Sequence, residues 1–186
     1  MKLNIIHLPH RKDRMELLLD QLDKQSITDY FIWEGIVDTK ITARGISKAH
    51  KQIVQYAKKN QLPEVLIAED DLKFTSKGAF TFFLENKPSD FDLYLSSIYL
   101  GNIKYDNTVD DFSGLTFYIV REKFYDIFLS RPEHDNLDRL MKGLGKFFVC
   151  KPFTVIQHEG FSDNSKQYCN YEILLNGRAL FKAENC

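Results

Sequence analysis

The order of predicted elements along the chain indicates an α/β sandwich with a largely parallel sheet. Short apolar runs typical of buried strands alternate with longer stretches whose apolar residues recur at helical spacing. Such alternation is typical of a sheet whose strands are connected by helices packed on its faces. The 186 residues, 44% of them hydrophobic and 13% aromatic, suffice for one substantial core. Because we find no repeat, low-complexity tract or linker, we predict a single domain, residues 1–186.

The first half of the chain contains the clearest elements. LNIIHL, residues 3–8, predicts a strand, and KDRMELLLDQL places its apolar residues on one helical face. YFIWEGI predicts a second strand. GISKAHKQIVQYAKK predicts an amphipathic helix with Ser47 available as its cap. EVLIAEDD then predicts a short strand that is buried on both faces.

The second half of the chain is less regular. FDLYLSS and GLTFYIV predict strands, whereas REKFYDIFLS and NLDRLMKGL predict helices. FFVCKPFTVIQ predicts two short strands separated at Pro152. From about residue 160 the sequence is polar and irregular, and we predict a lid or a tail there.

The composition restricts the class of protein. A formal net charge of -1 gives no overall attraction to nucleic acid, so phosphate recognition must be local. The three cysteines, Cys150, Cys169 and Cys186, are widely spaced and indicate neither a disulfide framework nor a zinc site. The sequence shows no signal peptide and no apolar stretch near the roughly 20 residues that span a bilayer. We therefore expect a cytoplasmic protein with reduced thiols and at most peripheral membrane contact.

Three consecutive acids, Glu69, Asp70 and Asp71, follow the apolar run VLIA. Ligands of open α/β sheets bind beyond the carboxyl ends of the strands, and carboxylates there suit Mg²⁺ or Mn²⁺ shared with substrate phosphates. If the strand alternation continues, Glu69 and Asp71 point to one face and form the candidate pair for an ion. The alternative is a solvated strand end. Acids that leave a buried strand raise one another's pKa unless a cation offsets their charge.

The other candidate residues also have ordinary structural explanations. Arg11 and Arg14 lie at a strand-to-helix junction that favours anions, but they could simply pair with neighbouring acids. His50 lies on the apolar side of its predicted helix, where histidine is more often a satisfied core group. Asp138 lies near a predicted helix start, where the helix dipole favours acids in any case. His158 follows a predicted strand and by itself is a weak signal for a metal site.

Five motifs follow one another in a fixed order: L-P-x-R-K-D-R, G-I-S-K-A-H, V-L-I-A-E-D-D, D-R-L and P-F-T-V-I-Q-H. This series resembles family 25 of the glycosyltransferases, the lipopolysaccharide-type sugar transferases, from about Ile5 to about Asn164. The resemblance implies a GT-A-like, Rossmann-like three-layer sandwich with a mostly parallel mixed sheet. It also implies transfer of a sugar from a nucleoside-diphosphate sugar, with a UDP-sugar favoured, to a glycan or glycolipid acceptor.

The resemblance also implies a role for each candidate residue. Glu69 and Asp71 would hold Mn²⁺ or Mg²⁺ against the donor diphosphate, and His158 would be a late metal or diphosphate contact. Asp138, in D-R-L, matches the acidic position near the acceptor and is the candidate general base, which implies inversion; retention stays open. The residues that would bind the donor are Leu8, Arg11, Arg14, His50, Asp70 and Gln157.

The sequence departs from the family pattern and leaves three other functions open. Ile46 and Ala49 stand where the family commonly has Cys and Ser, and the chain is short for the family, so the acceptor is undetermined. A nucleotidyltransferase would use the same metal chemistry, but HLPHRKDR lacks the expected glycine-rich loop. A catalytically silent nucleotide-sugar-binding module would bind the donor without hydrolysing it. A response-regulator receiver domain would need an aspartate where FDLYLSS ends in Ser96 and Ser97.

Overall fold

A seven-stranded sheet forms the centre of the protein in the computed structural model, which describes residues 1–175 and 177–183. The described residues form thirteen strands: β1 (Leu3–His7), β2 (Tyr30–Glu34), β3 (Glu64–Glu69), β4 (Leu72–Phe74), β5 (Leu93–Leu95), β6 (Leu100–Gly101), β7 (Thr108–Val109), β8 (Phe112–Ser113), β9 (Phe117–Arg121), β10 (Phe147–Val149), β11 (Val155–Gln157), β12 (Gly160–Ser162) and β13 (Gln167–Cys169). The helices are α1 (Lys12–Lys24), α2 (Thr42–Lys59), α3 (Ala79–Glu85) and α4 (Tyr125–Leu129). Short 3₁₀ turns cover Glu122–Phe124, Arg139–Met141 and Tyr171–Leu175.

The strand order in the sheet is β2-β1-β3-β9-β5-β10-β7. β1 runs parallel to β2 and β3, and β10 runs parallel to β5. β9 is antiparallel to both β3 and β5, and β7 is antiparallel to β10. Five strands therefore share one direction and two oppose them, which confirms the predicted mixed, mostly parallel sheet. The carboxyl ends of β1, β2 and β3 meet at one edge.

Two apolar cores lie on opposite faces of the sheet. The alternation of β3 divides its residues between them: Val65 and Ile67 belong to one core, and Leu66 and Ala68 belong to the other. The first core contains the buried face of α2, and the second contains the buried face of α1. The predicted three-layer sandwich is confirmed.

Several local predictions differ from the structure. α2 begins at Thr42, so Ser47 is buried inside the helix and does not cap it. The side chain of Asp38 instead accepts the backbone N–H groups of Lys40 and Ile41 just before the helix. NLDRLMKGL forms only the short 3₁₀ turn, which is followed by Gly143 at a φ of 68°, in the left-handed region that favours glycine.

The end of the chain completes the edge of the sheet where the site lies. β11 pairs antiparallel with β4 and places Gln157 opposite Leu72, just after the acidic triplet. β12 and β13 then form a hairpin. The described part of the predicted lid or tail is thus folded, while residues 176 and 184–186, including Cys186, lie outside the described residues. Within the described ranges, no helix has the length and apolar character needed to cross a membrane.

Candidate active site

A pocket of about 600 Å³ opens at the edge where β1, β2 and β3 end. Its walls come from the residues that follow these strands, from the start of α2, from the loop before β9 and from the β12–β13 hairpin. The residues predicted from the sequence that line it are Leu8, Arg14, His50, Glu69, Asp70, Asp71, Asp138, Gln157 and His158. Residues far apart in the sequence therefore meet at one cavity.

Asp70 points toward β1 and α1. Its Oδ1 accepts a 2.7 Å hydrogen bond from Arg14, and its Oδ2 lies 2.8 Å from His7 Nδ1. The backbone N–H of Leu8 donates to the same Oδ2 at 3.3 Å. Asp70 is only 4% exposed, so this carboxylate is held by the protein on both of its oxygens.

Arg14 supplies positive charge to the triplet. The nitrogen that binds Asp70 also lies 3.1 Å from Asp71 Oδ2. Burial lowers the pKa of Arg14, but the charges of Asp71 and Asp70 outweigh this effect and leave its pKa raised. The strand end therefore carries a counter-charge of its own, provided by a residue 56 positions away from Asp70.

Glu69 and Asp71 share one neighbour. The amide nitrogen of Gln157 lies 3.4 Å from Glu69 Oε2 and 3.2 Å from Asp71 Oδ2. Burial, followed by the charge of Glu69, raises the pKa of Asp71 to about 7. Asp71 Oδ1 is buried and has no hydrogen-bond partner among the described residues. The pair thus retains an unused carboxylate oxygen.

The chemistry of this pair fits a divalent ion that substrate oxygens would complete. Mg²⁺ is usually held by one or two carboxylates together with waters and substrate phosphates, and the same hard oxygen ligands suit Mn²⁺. In the described part of the chain, no group of three or more His, Cys, Asp or Glu side chains is arranged to hold a metal. Glu69 and Asp71 could therefore hold such an ion only as a partial site.

Among the described residues, His158 does not complete a cluster of three metal-ligating side chains with that carboxylate pair. Its backbone N–H donates to the Asp71 carbonyl at 2.7 Å. Burial lowers the pKa of the ring, and the charges that act on it are Lys73, Asp20, Lys24 and Glu172.

His50 is both a buried helix residue and part of the site. It is 1% exposed, and its Nε2 lies 3.2 Å from Glu69 Oε1. Its other ring nitrogen lies 3.0 Å from the hydroxyl of Tyr118. Each of its ring nitrogens therefore has a partner, and one of these partners is an acid of the triplet.

Asp138 lies in the pocket wall and caps a turn. One carboxylate oxygen accepts the backbone N–H of Arg139 and the other accepts that of Gly114, both at 2.8 Å. Burial raises the pKa of Asp138, although these two N–H groups act against the shift. The result is a fixed carboxylate whose pKa lies above the ordinary value for aspartate.

Arg11 occupies a different position from the one the resemblance implies. Its guanidinium forms two hydrogen bonds with Asp13, at 2.7 and 3.0 Å, and binds Asp163 at 2.8 Å. It also donates to the carbonyl of Phe161 at 2.9 Å. Because its donors are directed to these groups, Arg11 ties the β12–β13 hairpin to the start of α1 and does not line the pocket.

Gly45 gives the G-I-S-K-A-H motif a structural reason. A Cβ at this position would lie 2.3 Å from the Ile36 carbonyl and 3.0 Å from the Asp38 nitrogen. Only glycine lets α2 pack this closely against the loop after β2, which forms one wall of the pocket.

Sequence reasoning missed three residues that hold the site: His7, Tyr118 and Asp163. The contacts His7–Asp70 and Tyr118–His50 join residues 63 and 68 positions apart. Asp163 is separated from Arg11 by 152 positions. No local pattern marks such residues.

Comparison with solved structures shows which known proteins have a similar fold. The catalytic domain of Drosophila beta-1,4-galactosyltransferase 7 in complex with xylobiose superposes with a TM-score of 0.57 and 15% identity, covering 96% of this chain and 79% of that one. A mutant of the same enzyme, in complex with manganese, UDP-Gal and xylobiose, gives a TM-score of 0.56 and 13% identity, covering 95% and 79%. The chain has a GT-A-like glycosyltransferase fold.

A further solved structure superposes less closely. HddC from Yersinia pseudotuberculosis in complex with GMP-PN superposes with a TM-score of 0.46 and 17% identity, covering 84% of this chain and 92% of that one. No protein-family profile matches the sequence, and no curated protein matches it significantly.

Proposed function

We propose that this protein is a glycosyltransferase of the hexosyltransferase type. It moves a sugar from a nucleoside-diphosphate sugar, with a UDP-sugar favoured, to a hydroxyl of a glycan or of a lipopolysaccharide-type glycolipid. The observation that carries the proposal is a single pocket that holds both the Glu69–Asp71 pair at the end of β3 and a separate carboxylate, Asp138, with a raised pKa. The sequence resemblance to glycosyltransferase family 25 supports the same assignment.

The GT-A-like fold supports the donor class. In the Drosophila enzyme of similar fold, manganese, UDP-Gal and xylobiose are bound together. For this chain we assign the donor diphosphate to the part of the pocket that the acidic triplet and Arg14 line together. Arg14 carries a forked, permanently charged guanidinium that suits phosphate oxygens.

Glu69 and Asp71 would hold Mn²⁺ or Mg²⁺ beside that diphosphate. When bound, such an ion offsets the negative charge that develops on the departing diphosphate. Gln157 links the two carboxylates and keeps them on one side of the strand end. Asp70, which His7 and Arg14 hold, supports the loop without being needed as an ion ligand.

Asp138 would act as the general base. Its carboxylate takes the proton of the acceptor hydroxyl while the acceptor oxygen bonds to the anomeric carbon and the bond from that carbon to the diphosphate breaks. The two backbone N–H groups fix its orientation, and its raised pKa brings its basicity closer to neutral pH. A single displacement of this kind, with attack opposite the departing diphosphate, gives inversion at the anomeric carbon.

A thermal-shift panel tests the donor class. UDP-, GDP- and CMP-sugars are added with Mn²⁺ or Mg²⁺ to the wild type and to Asp71→Ala, with the exposed-acid variant Asp29→Ala as a matched control. One nucleotide sugar should stabilise the wild type and Asp29→Ala by about 2.7 kcal/mol at 100-fold excess over Kd, and Asp71→Ala should lose this gain. If neither a UDP- nor a GDP-sugar raises the Tm with either ion, the proposal is wrong, because CMP-sugars carry a single phosphate and lie outside the proposed donor class.

Product analysis separates the proposal from its alternatives. A transferase releases nucleoside diphosphate from the donor, slowly to water and faster when an acceptor glycan is present. Release of pyrophosphate from a nucleoside triphosphate and a sugar phosphate would indicate a nucleotidyltransferase instead. Donor binding with no product in any mixture would indicate a binding module.

A further inference from the structure

A row of three side chains leads from the interior of the sheet to the pocket. Tyr118, on β9, is completely buried, and its hydroxyl lies 3.0 Å from His50 Nδ1. The opposite ring nitrogen, Nε2, lies 3.2 Å from Glu69 Oε1. Among the described residues, His50 and Glu69 line the pocket whereas Tyr118 does not. Any influence of Tyr118 on a ligand must therefore pass through His50.

For an ionised Glu69 and a neutral His50, the hydrogen-bonding capacity of these groups admits one arrangement of the hydrogens. An ionised carboxylate only accepts, so the His50 nitrogen that faces Glu69 must carry a hydrogen. In a neutral imidazole the other nitrogen is then an acceptor, and the Tyr118 hydroxyl must donate to it. Burial raises the pKa of Tyr118 well above its usual value, which keeps the phenol protonated and able to donate.

We infer that Tyr118 is a positioning residue for Glu69: by donating to His50 Nδ1 it holds the imidazole ring in the orientation in which Nε2 faces the Glu69 carboxylate. The second oxygen of Glu69 faces Gln157 at 3.4 Å, so His50 and Gln157 hold the carboxylate from two sides. Without the hydroxyl of Tyr118, the carboxylate still requires a hydrogen on Nε2, but the ring loses the hydrogen bond that holds its opposite nitrogen. The imidazole is then less firmly held against Glu69.

The expected consequence for ion binding rests on the proposed function. Side chains that orient a metal ligand through a hydrogen bond typically change metal affinity by about 10–100-fold when removed. Tyr118→Phe deletes one oxygen and keeps the ring that packs 5.8 Å from the His50 ring. We expect the concentration of Mn²⁺ needed for half-maximal donor turnover to rise about tenfold, while kcat at saturating Mn²⁺ stays within about twofold of wild type.

The first test reads the tautomer and does not depend on any activity. Long-range proton–nitrogen NMR correlations distinguish the two neutral tautomers of each of the five histidines, and His50→Asn identifies the His50 signals. The wild type should show His50 with its hydrogen on Nε2 and slow exchange of that hydrogen with solvent, whereas in Tyr118→Phe the same hydrogen should exchange faster. Tyr94→Phe, which removes another buried hydroxyl from β5 on the other core, should leave the His50 signals unchanged. A wild-type hydrogen on Nδ1, or an Nε2 hydrogen that exchanges equally slowly in Tyr118→Phe, overturns the inference.

The second test measures the Mn²⁺ dependence of donor turnover in wild type, Tyr118→Phe and Tyr94→Phe. A shift of the Mn²⁺ requirement confined to Tyr118→Phe, with kcat retained, supports the positioning role. The same Mn²⁺ requirement in all three proteins overturns that role, and so does a loss of kcat in Tyr118→Phe without a shift. If the wild type binds no nucleoside-diphosphate sugar, the proposed function fails, whereas the NMR result still decides whether Tyr118 holds the His50 ring.

Discussion

Arg14 donates a 2.7 Å hydrogen bond to Asp70 across the gap between the start of α1 and the end of β3. Both side chains are largely buried, at 17% and 5% exposure. The bond joins the first helix of the chain to the strand that carries the candidate ion ligands. The acidic triplet is therefore partly neutralised by the protein before any ligand arrives.

Replacing Arg14 should be strongly destabilising. Arg14→Met leaves Asp70 and Asp71 buried without their guanidinium partner, and breaking a buried pair in this way typically costs about 3 kcal/mol or more. The exposed pair Lys24–Asp20 on the same helix provides the control: Lys24→Met should cost less than about 0.5 kcal/mol. Urea unfolding at pH 7 measures both values. Equal stability of the two variants would contradict the importance of the Arg14 contacts.

Asp71 should make stability depend on pH. Its pKa is about 7 in the folded protein and near the ordinary 3.8 when unfolded, so between these values the folded state binds more protons. The free energy of unfolding contributed by this group therefore falls as pH rises from about 4 to 7. We expect Asp71→Asn to flatten this dependence and to be more stable than wild type at pH 8 in chelator.

Thermal unfolding between pH 5 and pH 8 in the presence of a chelator tests this pH dependence. Asp29→Asn, which changes an exposed acid, should follow the wild-type curve. If Asp71→Asn parallels the wild type throughout, its carboxyl does not titrate near neutrality.

Asp138→Asn should separate turnover from donor binding. Loss of a general base typically lowers kcat by about 10²–10⁴-fold, while the donor Kd should change by less than about twofold. In the wild type, activity should fall as pH drops through the raised pKa of Asp138, above the ordinary aspartate range, because the protonated acid cannot accept a proton. Asp135→Asn, at an exposed acid three positions earlier, should retain full activity. Equal loss of donor affinity and kcat would place Asp138 in donor binding instead.

Gly45→Ala tests the close approach of α2 to the loop after β2. Alanine favours a helix by up to about 1 kcal/mol over glycine, yet its Cβ would meet the Ile36 carbonyl at 2.3 Å. We expect a net destabilisation of about 2 kcal/mol, because the backbone must move, and weaker donor binding. Lys48→Ala, at an exposed site of the same helix, should change stability by less than about 0.5 kcal/mol. If Gly45→Ala is more stable than the wild type, the loop after β2 can move to make room for the added Cβ at little energetic cost.

The sequence predicts the layers of this protein well because the pattern of apolar residues is a local signal. β3 contains the unbroken apolar run VLIA, and α2 has a regular apolar stripe, so both can be identified without knowing their partners. α3 has no such signal: AFTFFLE is seven residues long and too rich in aromatic residues to show a period. The partners of the acids were equally hidden, because the contacts of Arg14 and Gln157 depend on how distant segments meet.

The hydrogen bonds of Arg11 to the hairpin have a consequence for the order in which the protein is made. Asp163 emerges from the ribosome 152 residues after Arg11, and Gln157 emerges 88 residues after Glu69. Because contacts so distant in sequence form late in folding, the sheet can assemble before the walls of the pocket are joined. A nascent chain would therefore present its three acids with no closed cavity around them until Gln157 is made, 86 residues after Asp71. The proposed donor pocket would be complete only once β11 and the β12–β13 hairpin dock.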